Sequence, residues 1–108
     1  MSTQIQPFSA EIRRTASDAV AIVLRGEINK EADAGVSAAF EAALSEQPAA
    51  ITLDFSAVDY INSTGIALIV GVLARARAAH IPLTAVGLSD HYREIFTITR
   101  LSDFIEIR

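Results

Sequence analysis

The spacing of apolar residues in this sequence changes repeatedly between the period of a β-strand and that of an α-helix. Two strand-like runs separated by a polar turn begin the pattern and predict a hairpin. Helical segments then alternate with short apolar runs, which predicts an α/β fold with right-handed crossovers between parallel strands. The predicted order is ββαβαβαβ, a mixed sheet of four to five strands with helices packed against it. In chain order the segments are 8–14, 19–24, 30–46, 50–55, 63–79, 81–86, a helix starting at 89–90, and 104–107.

Length and composition limit the class of protein. The chain has 108 residues, which suits one domain, and we therefore expect a single domain over residues 1–108. A hydrophobic content of 51% excludes intrinsic disorder. The net charge of −4 argues against nucleic-acid binding, which needs Lys and Arg gathered on one face. The absence of cysteine excludes a disulfide framework and a thiolate metal site.

No segment of the sequence predicts export or membrane insertion. Residues 1–4 lack the basic stretch and the apolar run of a secretory signal. The longest apolar region, 66–74, is far shorter than the roughly 20 residues that cross a bilayer. We therefore expect a cytoplasmic protein without a membrane-inserted part.

The sequence also lacks the common catalytic and metal-binding patterns. His80 and His91 lie in separate segments without the spacing of a metal site. There is no Gly-x-Ser-x-Gly elbow, no Walker loop and no dinucleotide-binding fingerprint. We therefore predict a protein that is not an enzyme, with no catalytic residue, metal or cofactor.

The segment 53–65, Leu-Asp-Phe-Ser-Ala-Val-Asp-Tyr-Ile-Asn-Ser-Thr-Gly, leads from a buried strand to the start of the most apolar helix. Asn62 and Ser63 are both good N-cap residues, so helix capping accounts for them. A hydroxyl at this place also faces unpaired backbone N–H groups and the positive end of the helix dipole, which would stabilise a phosphate. Gly65 allows close backbone approach and keeps bulk away from the hydroxyl. From the residues alone, capping and phosphorylation are both open.

The segment 53–65 and the helix after it resemble the signature of the STAS domain, named for sulfate transporters and anti-sigma factor antagonists. The resemblance extends to Gly26-Glu27-Ile28 before the first helix and to 89–101 as the final helix and turn. These motifs occur in the order and at the separations usual for the family, over most of the chain.

In single-domain members this resemblance implies a bacterial anti-sigma factor antagonist that switches partners. The unphosphorylated protein would bind an anti-sigma factor that is also a GHKL-type serine kinase. Phosphorylation of a serine at the start of the helix would end the binding, and a PP2C-type phosphatase would restore it. By position that serine is Ser63, with Thr64 as the second choice.

Two residues near the predicted phosphosite depart from the family pattern. Asn29 and Asn62 stand where the family usually has aspartate, and with Gly65 they form the expected surroundings of Ser63. If the family's carboxylates help the kinase, phosphorylation is slower here. If they chiefly repel the phosphate, phosphoserine is easier to hold here.

The helix after Ser63 is apolar on more than one side, so a partner surface is a further hypothesis. Leu68 and Val72 are candidate partner contacts, the alternative being that they pack within the domain. The stripe predicted to face the core is Ile66, Ile69, Val70, Leu73 and Ala76.

Two other functions are compatible with the same fold. One is a constitutive adaptor, such as the STAS subunit of an ABC-type lipid transport complex. The other is a STAS domain that binds a small ligand or a nucleotide. A homodimer through an edge strand or an apolar helix face is compatible with any of these, although no residue requires it.

Overall fold

The computed structural model describes residues 6–108. It contains five strands and three α-helices in the predicted order, so the predicted α/β class is confirmed. The prediction that residues 1–4 carry no targeting signal lies outside the described part of the chain. The strands are β1 (Ser9–Ala16), β2 (Ala19–Ile28), β3 (Ala50–Ile61), β4 (Leu83–Val86) and β5 (Glu106–Ile107). The α-helices are α1 (Asp33–Ser45), α2 (Ser63–Ala78) and α3 (Asp90–Ile98), and short 3₁₀ turns span Lys30–Ala32 and Leu101–Asp103.

The five strands form one mixed sheet in the order β1-β2-β3-β4-β5. The β1–β2 hairpin is antiparallel, and the remaining neighbours are parallel because a helix connects each pair. The core lies between this sheet and the helices. Its largest fully buried side chains are Phe40, Phe96, Ile22, Ile28, Ile51 and Val20.

Strands β2 and β3 are longer than predicted. The sequence pattern predicts that β2 ends at residue 24 and β3 at residue 55. In the structure the two strands continue side by side until Ile28 pairs with Ile61. The residues of β3 from Ser56 to Tyr60 are mostly exposed, so their polar side chains remain in water while the β2 ladder satisfies their backbone. Two irregularities in the β2–β3 register are consistent with bulges and increase the local twist.

The core face predicted for helix α2 is confirmed at Ile69, Leu73 and Ala76 and is wrong at Val70. Val70, placed in the core stripe by the sequence pattern, is 44% exposed, whereas Val72 is only 6% exposed. The buried residues of α2 are Gly65, Ile69, Val72, Leu73 and Ala76. A helix with apolar residues on nearly every side has no single preferred inner face, so periodicity could not choose among them.

We find no helix within residues 6–108 that combines the length and apolarity needed to span a membrane.

Candidate functional site

The candidate site lies where the carboxyl ends of two neighbouring parallel strands meet the start of α2. Ile28 and Ile61, the last residues of β2 and β3, are paired in register. The next residue of β3, Asn62, donates its backbone N–H to the Ile28 carbonyl at 3.2 Å. Asn29 and Asn62 therefore follow directly from adjacent strand ends, at the edge where α/β folds usually bind their ligands.

Asn62 is the N-cap of α2. Its backbone is extended, and its side-chain Oδ1 accepts a hydrogen bond from the Gly65 N–H at 2.8 Å. The cap leaves Ser63 as the first helical residue rather than the cap itself. The N–H groups of Ser63 and Thr64 precede the first intrahelical hydrogen bond, so they have no helical partner.

Asn29 has the same role on the neighbouring strand. Its Oδ1 accepts a hydrogen bond from the Glu31 N–H at 2.9 Å and caps the 3₁₀ turn Lys30–Ala32. Asparagine and aspartate are comparable as N-caps, because either one supplies an acceptor oxygen of the same reach. Relative to the family pattern, the two asparagines therefore keep both caps and remove two negative charges.

The capping role of Asn62 predicts a difference between two substitutions. Asn62→Ala leaves the Gly65 N–H without its acceptor, and we expect a loss of about 1 kcal/mol in the free energy of unfolding. Asn62→Asp keeps the acceptor and adds a negative charge at the helix N-terminus, so we expect equal or slightly higher stability. Urea unfolding followed by circular dichroism measures both effects. Equal midpoints for the two variants would contradict the capping role.

Gly65 is required by the packing of α2 onto the end of β2. A Cβ atom at this position would overlap the Ile28 carbonyl oxygen and lie 2.8 Å from its carbon and 2.9 Å from Cγ2 of Ile61. The predicted close backbone approach at Gly65 is therefore found, and the group it approaches is the Ile28 carbonyl of the same chain.

Ser63 and Thr64 are both exposed at this corner. Within residues 6–108, neither hydroxyl takes part in a hydrogen bond, because Asn62 performs the capping. Within the described residues the Ser63 hydroxyl is thus exposed and has no hydrogen-bond partner, at the positive end of a helix. A phosphate on it could accept hydrogen bonds from the unpaired N–H groups of the first turn.

The two predicted partner contacts differ in exposure. Val72 is a core residue, so its side chain cannot reach a partner; the prediction for Val72 is wrong, and it packs within the domain. Leu68 is half-buried and packs against the core with part of its side chain. The exposed face of α2 that continues from Ser63 consists instead of Ala67, Val70, Gly71 and Ala74. We call this set the outer face of α2.

A family model described as "Mlab, STAS domain" matches residues 12–106, which is most of the chain. The chain belongs to the STAS domain family. A curated relative, the anti-sigma-B factor antagonist of Listeria monocytogenes, is 34% identical over 101 residues, covering 94% of this STAS domain and 89% of the relative.

Solved structures share the fold of this STAS domain. An anti-sigma factor antagonist from Mycobacterium paratuberculosis has a TM-score of 0.76 at 16% identity, covering 94% of this chain and 85% of the other. SpoIIAA in its unphosphorylated form has a TM-score of 0.67 at 20% identity, over 83% of each chain. Phosphorylated SpoIIAA of Bacillus has a TM-score of 0.64 at 18% identity, over 93% of this chain and 91% of the other.

The structure adds one residue to the site of this STAS domain that the sequence pattern did not indicate. The Tyr92 hydroxyl, from α3, accepts a hydrogen bond from the Ile61 N–H at 2.8 Å. The pattern places Tyr92 on the inner face of its helix together with Ile95 and Phe96. A tyrosine on an apolar face usually has a hydrogen-bond partner for its hydroxyl, but only the fold identifies that partner.

One cleft of this STAS domain borders the contact between Tyr92 and Ile61. A cleft of about 180 Å³ lies between β3 and the start of α3, lined by both apolar and polar residues including Phe55, Asp59 and Ser89. Among residues 6–108 there is no group of three or more His, Asp or Glu side chains arranged to hold a metal ion.

Proposed function

We propose that this STAS domain is an anti-sigma factor antagonist that sequesters its anti-sigma factor while Ser63 is unphosphorylated. The 34% identical curated relative carries that name, and its match extends over nearly all of both chains. The observation that carries the proposal for Ser63 is the free, exposed hydroxyl at the first position of α2, with Asn62 taking the cap.

We further propose that the anti-sigma factor is a GHKL-type serine kinase and that a PP2C-type phosphatase reverses its action. The geometry supports direct phosphorylation of Ser63. Its hydroxyl projects from a helix corner into solvent, so the kinase need not unfold the domain to reach it. Thr64, the next residue, is also exposed and remains the second candidate.

The outer face of α2 supports a contact surface that begins at Ser63. Val70 is the large apolar residue of this face, at 44% exposure, and its neighbours Ala67, Gly71 and Ala74 are small. Small side chains let a partner approach the helix closely, and Val70 gives it an apolar contact. We therefore propose that the partner contacts this face, and not the buried Val72.

A phosphate on Ser63 would interrupt this contact without changing the fold. It would add about −1.5 to −2 charges and three acceptor oxygens at one end of the outer face. The Ser63 hydroxyl makes no hydrogen bond within the described chain, so its modification breaks no internal contact. Burying the new charge under a partner would cost binding free energy.

The absence of two carboxylates at Asn29 and Asn62 changes the electrostatics of the corner around Ser63. Both positions keep their caps through Oδ1, so the geometry of the corner does not depend on the missing charge. A doubly negative group on Ser63 therefore meets less repulsion than it would beside two aspartates. We propose that this corner accommodates phospho-Ser63 with less electrostatic repulsion than two aspartates would cause.

The phosphorylation proposal predicts a defined mass change. Incubation with the proposed GHKL-type partner kinase and ATP should add one phosphate to the wild-type chain and to Thr64→Ala, which is observed as a change in intact mass. Ser63→Ala should gain none, because it lacks the accepting hydroxyl. Phosphorylation that persists in Ser63→Ala would overturn the site, and loss only in Thr64→Ala would move it to Thr64.

The adaptor and ligand-binding alternatives predict different results in binding experiments. Stable binding to an ABC-type ATPase without any phosphate transfer would support the adaptor. Heat released on titration with nucleotides would support a ligand-binding domain. The curated relative favours the antagonist over both.

A further inference from the structure

The end of β3 lacks a neighbouring strand on one side. Strand β4 pairs with β3 only from Ile51 to Asp54, whereas β3 runs on to Ile61. Over that extension, β2 is the only strand that the described residues place beside β3. Backbone groups on the β4 side of the extension therefore need partners other than a strand.

Tyr92 supplies that partner at the last residue of β3. Its hydroxyl accepts the Ile61 N–H at 2.8 Å and donates to the Ile61 carbonyl oxygen at 3.3 Å. A phenol can do both at once, since it carries one donor hydrogen and acceptor lone pairs. One side chain thus pairs both backbone groups of Ile61, as a neighbouring strand would.

The junction between β3 and α2 is consequently held from two sides. On the β2 side, the Asn62 N–H donates to the Ile28 carbonyl at 3.2 Å. On the other side, Tyr92 holds Ile61, the residue immediately before that cap. Ser63 follows directly, so its position depends on both anchors.

Tyr92 is itself firmly placed. Its backbone N–H donates to the Ser89 Oγ, the N-cap of α3, at 3.3 Å. In the same helix, Phe96 is fully buried and meets Phe55 of β3 edge to face, with ring centroids 5.8 Å apart. Helix α3, which contains Tyr92, is thus packed onto β3, the strand to which the Tyr92 hydroxyl bonds.

We propose that Tyr92 is a positioning residue of the Ser63 site: its hydroxyl holds the end of β3 and thereby the direction in which α2 presents Ser63. Without the hydroxyl, the Ile61 N–H and carbonyl would lose their protein partner and open to water locally. The proposal about the junction stands on geometry alone, and its consequence for phosphorylation rests on the proposed function. A small displacement of a reacting hydroxyl is enough to slow a transfer reaction considerably.

The first test uses hydrogen exchange and needs no partner. Tyr92→Phe removes one oxygen atom and leaves the ring. Tyr60→Phe is the matched control, because Tyr60 is 46% exposed and its hydroxyl makes no hydrogen bond within the described residues. We expect exchange of the Ile61 amide to rise about five- to tenfold in Tyr92→Phe alone, because this N–H loses its hydrogen bond to the hydroxyl.

The Ile22 amide, in the buried centre of β2, reports on global opening. In Tyr92→Phe its exchange should stay close to that of the wild type while Ile61 changes. If Ile22 and Ile61 accelerate by the same factor, the hydroxyl only adds to overall stability and the positioning proposal is wrong. Unchanged exchange at Ile61 would equally overturn it.

The second test measures phosphorylation of Ser63 by the partner kinase. We expect kcat for Tyr92→Phe to fall several-fold with little change in KM, since the variant alters presentation of the hydroxyl rather than the outer face. An unchanged kcat beside accelerated Ile61 exchange would overturn the positioning role. If the wild type itself gains no phosphate, the proposed function fails, and the exchange result still decides whether Tyr92 holds the junction.

Discussion

Gly65→Ala is expected to destabilise this STAS domain severely, whereas Gly71→Ala, in the same helix, is expected to stabilise it. A methyl group at position 65 would overlap the Ile28 carbonyl oxygen and crowd Ile61. Neither can move away, because Ile28 and Ile61 are paired in the sheet. Overpacking of this kind costs about 1–3 kcal/mol and more where backbone is the obstacle.

Gly71 is the matched control because its surroundings are open. A Cβ built at Gly71 has no atom within 4 Å, and the residue is exposed in the middle of α2. Glycine at such a position costs a helix about 1 kcal/mol relative to alanine, so Gly71→Ala should recover much of that amount. Urea unfolding midpoints of the three proteins measure both effects. A Gly65→Ala midpoint equal to that of the wild type would contradict the close packing of α2 on β2.

Gly71→Ala also distinguishes an effect on stability from an effect on partner binding. If Gly71→Ala raises stability and still weakens binding of the anti-sigma factor, the small side chain is retained for the partner's approach to the outer face. If it raises stability and leaves binding unchanged, the partner does not contact α2 at this residue. The two results therefore distinguish a partner that contacts Gly71 closely from one that does not.

Phosphorylation of Ser63 is expected to lower affinity for the anti-sigma factor at least 100-fold, a loss of about 3 kcal/mol. The phosphate brings about two negative charges to one end of the outer face, and a bound partner would have to desolvate them. Titration calorimetry on phosphorylated and unphosphorylated chains gives the ratio directly. The control is Ser63→Ala carried through the same kinase treatment, which should keep the affinity of the unphosphorylated chain.

The thermal midpoint distinguishes blocked contact from unfolding. An anion at a helix N-terminus stabilises the helix by about 0.3–1 kcal/mol, so the phosphorylated domain should melt at the same temperature or slightly higher. A clear drop in the midpoint together with lost binding would mean that phosphorylation acts by disrupting the fold. Unchanged affinity after complete phosphorylation would contradict the proposed switch.

The order of the elements could be predicted because it depends on local patterns. Apolar residues recurring with helical spacing, as in α1 from Val36 to Leu44, indicate a helix whatever lies beside it. Caps are local in the same way: Asn29, Asn62 and Ser89 each bond a backbone N–H within three residues, and each lies at a predicted helix start. Such contacts need no knowledge of the rest of the chain.

The extension of β3 could not be predicted because it depends on a distant partner. The stretch after Asp54 is polar and turn-prone by itself, and it becomes a strand only because β2 continues beside it to Ile28. The exposed side of α2 was mispredicted for a related reason. Val70 and Val72 are equally apolar, and only the placement of the helix against the sheet decides that Val72 is buried.

The sequence by itself determined the α/β order, the caps and the position of Ser63 at the start of α2, since these follow from residues close together in the chain. The tertiary structure decided which face of α2 is free, why Gly65 must be glycine, and that Tyr92 pairs with Ile61. Those features join residues far apart in sequence, Ile28 with Gly65 and Ile61 with Tyr92. No local spacing encodes such contacts, because they exist only once the strands and helices have packed together.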